Sequence, residues 1–271
     1  MRVFKQLCLL AAFTALASCS LFTKQQNINT IPVAQLYQTA HKALMYGRYA
    51  EAEKDFQRLI ARFPSGAYNE QAQIELAYAQ YKDSKPEDAY STINRFIKTY
   101  PANKHIDYAY YLRGLINFNR TSTFIGRIVG QDLSRRDQGY RLQAFDDFSQ
   151  LTRRFPGSKY AADARQRMIF LRNGLARYEI NVAEFYLKRK MYVASSDRAK
   201  YVIEHYQRSP ETGDALAILA RSYKSLGLDK LAAQSTEVLK LNYPDHPYLK
   251  DPDWPHFTPL WKRMVPFAND H

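Results

Sequence analysis

Four times in this chain an alanine is followed, twelve residues later, by a proline: Ala52 and Pro64, Ala89 and Pro101, Ala144 and Pro156, Ala232 and Pro244. The runs before these prolines are alike: FQRLIARFP, INRFIKTYP, FSQLTRRFP and TEVLKLNYP. A recurring amphipathic unit of this kind cannot bury its apolar stripe alone, so like units must stack. The spacing therefore predicts an all-α architecture of helical repeats before any single side chain is weighed. It also directs the functional reading, because stacked helix pairs usually hold other molecules and seldom carry chemistry.

The first unit shows how the pattern works. Leu36, Ala40, Ala43 and Leu44 form one helical stripe, Gly47 interrupts it, and Ala52, Phe56, Leu59, Ile60 and Phe63 form the next. Pro64 ends the second helix, since the residue before a proline is pushed out of the α region. Ala40 and Ala52 let the two helices approach closely, while Tyr49 and Phe56 fill the space beside them. The turn Gly47-Arg48-Tyr49-Ala50-Glu51-Ala52, with its closing Pro64, resembles a tetratricopeptide repeat.

The expected fold is a tetratricopeptide-repeat superhelix of five helix pairs over residues 33–247, with units at 33–64, 65–101, 105–156, 159–208 and 211–244. The second has Ser84 where the first has Gly47. The third places Gly114 at a close-packing position and carries an insertion, residues 119–139, which reads as either disordered or functional. The fourth is degenerate: a long helix from Lys159 through Arg189 with Gly174 as its weak point, then a partner from Tyr192 to Tyr206. Ser195 takes its alanine slot and Gln207 its proline slot. Residues 248–271 read as an irregular tail with anchors Tyr248, Trp254, Phe257, Trp261 and Phe267. Those anchors either cap the open end of the last pair or dock a partner.

The N-terminus is a targeting signal. Arg2 and Lys5 precede an apolar stretch too short to span a membrane, and small residues lead to Cys19. Leu16-Ala17-Ser18-Cys19 resembles a bacterial lipobox. Such signals imply a signal peptide at 1–18, lipidation of Cys19 and a flexible tether over 19–32; cleavage at another small residue is the alternative. Several acyl chains on one residue give a firm anchor, at about 0.8 kcal/mol per buried methylene. Ser20, rather than Asp, after the lipidated position resembles lipoproteins sorted to the outer membrane. The other cysteine, Cys8, falls in the signal, so the mature chain has no intrachain disulfide.

Formal charge is +13, and removing Arg2 and Lys5 leaves 13 − 2 = +11. That suits nucleic acid, an anionic membrane or an acidic partner. Most aromatics, however, recur at repeat core positions such as Phe56, Phe96, Phe148 and Tyr243, which argues against nucleic acid as a partner. Chemistry is also missing from the pattern. Gly126-Arg127-Ile128-Val129-Gly130 lacks the Gly-Lys-Ser/Thr end of a phosphate loop, and the six histidines form no helical pair. Asp146 and Asp147, about 100° apart on a helix, read as a solvated face. The expectation is a non-enzyme with no cofactor and no metal.

A binding surface is legible instead. Gln71, Ile74, Tyr78, Tyr81 and Lys82 share one side of the second unit's first helix, which Tyr68 begins. Tyr37 and His41 occupy matching positions in the first unit. This set reads as a peptide groove, with Lys82 of a charge that suits a carboxylate; the alternative is that Tyr78 and Tyr81 pack against a neighbouring unit.

The stretches RFPSGAYNEQAQIELAYAQYK, IDYAYYLRGL, GQDLSRRD, AFDDFSQLTRRFPGSKYAADA and LARYEINVAEFYLKR resemble a family of lipoproteins. Its members are five-repeat helical subunits of the outer-membrane β-barrel assembly machine, also described as competence lipoproteins. The likeness covers residues 33–244 and departs in the longer, more aromatic tail. It implies a lipid-anchored scaffold on the periplasmic face of the outer membrane. The N-terminal repeats would receive the C-terminal signal of an unfolded barrel protein, an extended segment ending in an aromatic residue and a free carboxylate. The C-terminal repeats would hold a periplasmic domain of the barrel-forming subunit through Arg198, whose bland alternative is a surface residue paired with Glu204 or with nothing. Arg113 and the insertion, with Asp132, Arg136 and Asp137, would contact a further lipoprotein subunit. The competing function is DNA or peptidoglycan binding during DNA uptake.

Overall fold

The computed structural model describes residues 31–120 and 138–256. Among them are ten α-helices and no strand. They are α1 (Val33–Met45), α2 (Tyr49–Arg62), α3 (Ala67–Lys82), α4 (Pro86–Thr99), α5 (Ile106–Arg120), α6 (Gly139–Arg154), α7 (Ala161–Lys188), α8 (Tyr192–His205), α9 (Thr212–Ser225) and α10 (Asp229–Asn242). A short 3-10 turn, Pro247–Leu249, follows. The all-α, repeat-like reading holds. Cys19, most of the tether, Asp132, Arg136, Asp137, Phe257, Trp261 and Phe267 lie outside the described residues.

The chain forms two compact units, one ending at Ala79 and one beginning at Gln80. The first contains α1, α2 and most of α3. Its core joins Leu36, Ala40, Ala43 and Leu44 of α1 to Ala52, Phe56 and Leu59 of α2, with Ala72 and Leu76 of α3. Buried Asn69 closes the second helix, donating to the Phe63 carbonyl at 2.6 Å while accepting from Gln73.

The second unit packs α4 on α5, α5 on α6, and so on through α10, each helix against its successor. Gly114 of α5 sits where expected: a Cβ there would come within 2.5 Å of the buried Phe148 ring on α6. The long helix of the fourth repeat is continuous through Gly174, whose carbonyl accepts from Arg141 of α6 at 3.2 Å. Ser195 fills the alanine slot completely buried, and its hydroxyl donates to the Ala183 carbonyl at 2.9 Å.

The turns repeat in detail. Gly47, Ser84, Lys190 and Gly227 all have positive φ, between 60° and 73°. At each of these four turns the residue with positive φ donates three residues back, and the next residue donates five back, as in Gly47 to Leu44 and Arg48 to Ala43. These are Schellman closures, which satisfy carbonyls orphaned at a helix end. The second helices end on an aromatic residue outside the α region: Phe63, Tyr100, Phe155, Tyr206 and Tyr243. Tyr206 does so with Gln207 in place of proline, so the exit does not depend on the proline ring.

The described part of the tail returns along α9 and α10. Tyr243, Tyr248, Leu249 and Trp254 pack on Leu216, Ala217 and Leu239. His246 Nε2 lies 3.1 Å from Asp214 of α9, and Arg221 donates to the carbonyls of Asp253 and Pro255.

Candidate binding face and partner surface

In the first unit, Tyr37 and His41 stand one turn apart on α1, and their rings stack at 5.7 Å and 17°. Gln71 and Glu75 are spaced in the same way on α3. Their meeting point is the Glu75 carboxylate. Tyr37 Oη donates to Oε1 at 2.6 Å, Gln71 Nε2 donates to Oε1 at 2.9 Å, and His41 Nδ1 lies 2.8 Å from Oε2. The Tyr68 ring lies 5.4 Å from that of Tyr37, which is anchored below by Phe56 at 6.2 Å. Burial, and then the hydrogen bond to Glu75, raises the Tyr37 hydroxyl pKa above its ordinary value. Its proton stays on oxygen and the bond keeps its direction.

Glu75 was not among the residues singled out from the sequence. Its side chain is 11% exposed, yet three partners satisfy it. The signal was present: a carboxylate amid buried residues, four positions after an amide that can reach it. The face therefore offers two tyrosine rings and an imidazole over a carboxylate that is already occupied.

Other residues of the expected groove fall elsewhere. Ile74 is only 2% exposed, because α3 is buried on nearly all sides and leaves no solvent face at that position. Tyr78 is half-buried against the first unit's core, which is the packing alternative. Tyr81 and Lys82 belong to the second unit. There Asn119 donates to Tyr81 Oη beside a recess of about 370 Å³ lined by Pro86, Ile116, Arg120 and Tyr140. Lys82 is exposed.

Arg113 corrects the sequence reading most clearly. Its side chain is 9% exposed, and Nε lies 2.6 Å from Asp147 Oδ1. It also donates to Asn94 at 2.9 Å and Gln150 at 3.3 Å, bracing α4, α5 and α6 together. Such a residue is a core ion pair and offers nothing to an outside partner. Asp147 is likewise buried, with Asn117 donating to its second oxygen at 2.7 Å, while Asp146 is exposed. The two carboxylates do splay apart, but only one faces water. Burial pushes the Asp147 carboxyl up to about 6, outweighing the opposing pull of Arg113 and Asn117.

Arg198 is 46% exposed and donates to Glu179 Oε2 of α7 at 3.0 Å. The partner is Glu179, not Glu204, whose 3.5 Å contact is with Lys200. Glu179, at 12% exposure, holds one guanidinium nitrogen.

Helix pairs joined by Schellman turns, with an aromatic face in one unit and an oriented arginine in the other, define an all-α helical-repeat protein with two candidate contact surfaces. The comparisons with known proteins make that class specific. The YfiO family, described as outer membrane lipoprotein, matches residues 29–239, and the chain belongs to it. "Outer membrane protein assembly factor BamD" of Xylella fastidiosa (strain Temecula1 / ATCC 700964) is 45% identical, covering 97% of this chain and 89% of its own length. The protein of the same name from Neisseria meningitidis serogroup B (strain ATCC BAA-335 / MC58) is 40% identical over 85% of this chain and 86% of its own. Neither description is that of an enzyme. Among solved structures the MamA protein is 14% identical with a TM-score of 0.32, covering 84% of this chain and 98% of that one, too little likeness to argue from.

Proposed function

We propose that this chain is a non-enzymatic, lipid-anchored scaffold for outer-membrane protein assembly, held at the periplasmic face through Cys19. Its N-terminal unit binds the targeting segment of unfolded barrel proteins, and its C-terminal repeats hold the barrel-forming subunit. Membership of the outer membrane lipoprotein family supports this, as do relatives named for outer membrane protein assembly. The observation that carries the first half is the Tyr37–His41–Tyr68 face over Glu75.

Glu75 changes how that face works. A substrate's terminal carboxylate would meet a like charge there, so the face reads the aromatic side chains of an extended segment and leaves the carboxylate to solvent or to a cation elsewhere. Rigid rings bind such side chains with little entropy loss. In the C-terminal repeats, Glu179 pre-orients Arg198, and the exposed remainder of the guanidinium is available to a carboxylate on the partner, a geometry suited to bidentate pairing.

The test is binding of a peptide ending in a barrel-type aromatic residue, measured by fluorescence anisotropy. Tyr68→Ala should weaken it about tenfold, the equivalent of ~1.4 kcal/mol, with helicity intact. Unchanged affinity would remove the face from the reading. Moderate loss of affinity with rising salt is expected, whereas a DNA-binding lipoprotein would lose DNA steeply.

A further inference from the structure

The solvent side of α10 differs from that of the second helices of the first three repeats, and it is more apolar than that of α8, which has Ala194, Tyr201 and Glu204 at the matching positions. Counted from the shared alanine slot, Leu231 stands where the first three repeats have Glu51, Asp88 and Gln143. Val238 stands where they have Arg58, Arg95 and Gln150, and Leu241 where they have Ala61, Lys98 and Arg153. All three apolar residues of α10 are exposed among the described residues, Leu241 at 81%. They lie seven and three positions apart, on one side of the helix. Terminal repeats ordinarily present a polar outer face, because no further repeat will cover it. This one does the opposite.

We infer that the outer face of α10 is an interaction surface whose occupant is the chain's own last segment, residues 257–271. Three observations select it over a second copy or another protein. The described tail is delivered to the right end of the helix: Arg221, in the last turns of α9, holds the carbonyls of Asp253 and Pro255, and α10 starts four residues after α9 ends. The remaining length suffices, since fifteen residues reach up to ~50 Å whereas α10 has 14 residues and runs ~21 Å. The composition matches as well. Between Pro259 and Pro266, Leu260, Trp261, Met264 and Val265 recur at intervals of one, three and one, the spacing of an apolar stripe, and the segment carries Lys262 and Arg263 where α10 carries Glu237. The surface thus extends the capping already made by Tyr248 and Trp254.

Hydrogen exchange on the full chain in detergent, against a chain ending at His256, tests this. Removing the segment should speed exchange of α10 amides about tenfold and leave α5–α7 unchanged. Leu241→Glu in the full chain should give the same acceleration, and adding it to the shortened chain should change little further, because coupled groups are not additive. Equal α10 exchange with and without the segment overturns the inference, and so do additive effects. A full chain that sediments as a dimer, and becomes monomeric on Leu241→Glu, also overturns it by assigning the face to a second copy.

Discussion

Arg113 Nε and Asp147 Oδ1 lie 2.6 Å apart, buried at the junction of α4, α5 and α6 in the second unit. Burial dominates the carboxyl, which titrates near 6 instead of its usual 3.8. The folded chain therefore binds a proton here that the unfolded chain has already released, throughout the interval from about 4 to about 6. This group's contribution to stability falls as pH rises through that interval and levels off above it. Comparing urea midpoints of the native chain and Asp147→Asn from pH 4 to 7 isolates this group. The native chain should lose ground steadily to the variant as pH increases; a constant difference would contradict the assignment.

Gly114→Ala places a methyl within 2.5 Å of the Phe148 ring, which is completely buried and has little room to retreat. Overpacking of this kind costs about 1–3 kcal/mol. Chemical denaturation should show the loss, and shortening the ring with Phe148→Leu in the same chain should recover part of it.

Ser84 and Lys190 occupy a left-handed conformation that Gly47 and Gly227 fill without a Cβ penalty. Ser84→Gly and Lys190→Gly should each raise stability, by up to about 1 kcal/mol. Gly227→Ala, with nothing crowding its Cβ, should lower it by a similar amount through backbone strain alone. Thermal unfolding of the three variants would check both signs.

Arg198→Gln keeps a donor for Glu179 while removing the charge offered outward. The arginine end of the pair is half-exposed while Glu179 is 12% exposed and keeps a donor from the new amide, so stability should change by only about 1 kcal/mol. Co-purification of the barrel-forming subunit from solubilised outer membrane should fall markedly. An undiminished yield would place that contact elsewhere.

Much of this was readable in the chain, and the failures have a common cause. The alanine slots, the turn at Ser84, the close approach at Gly114 and the continuous fourth-repeat helix all follow from local period. What period cannot supply is which side of a helix a third neighbour covers. Ile74 shares a helix side with Gln71 and Tyr78 and so reads as groove-lining, yet α3 is buried around nearly its whole circumference. Asp147 lies three residues after Ala144 and next to Phe148, on the core stripe itself, so its register and not its pairing with Asp146 decides its burial. Glu75 was hidden for the reverse reason: a lone charge within an apolar run looks like a solvent-facing interruption until its partners on another helix are seen. The Schellman turn at Lys190 shows the same limit, since its neighbours in the array carry glycine or serine there.

Ser195 adds a point about what the opening spacing records. Its hydroxyl is scarcely larger than the alanine methyl found in the other repeats, and it discharges its polarity into the Ala183 carbonyl. The slot thus filters on volume, with chemical identity secondary so long as a backbone acceptor is within reach. Drift between alanine and serine at positions 52, 89, 144 and 232 is tolerable only where such an acceptor exists, whereas valine would wedge the helices apart at any of them. A search for further members of this architecture is better framed as a periodic ceiling on side-chain size than as a periodic letter.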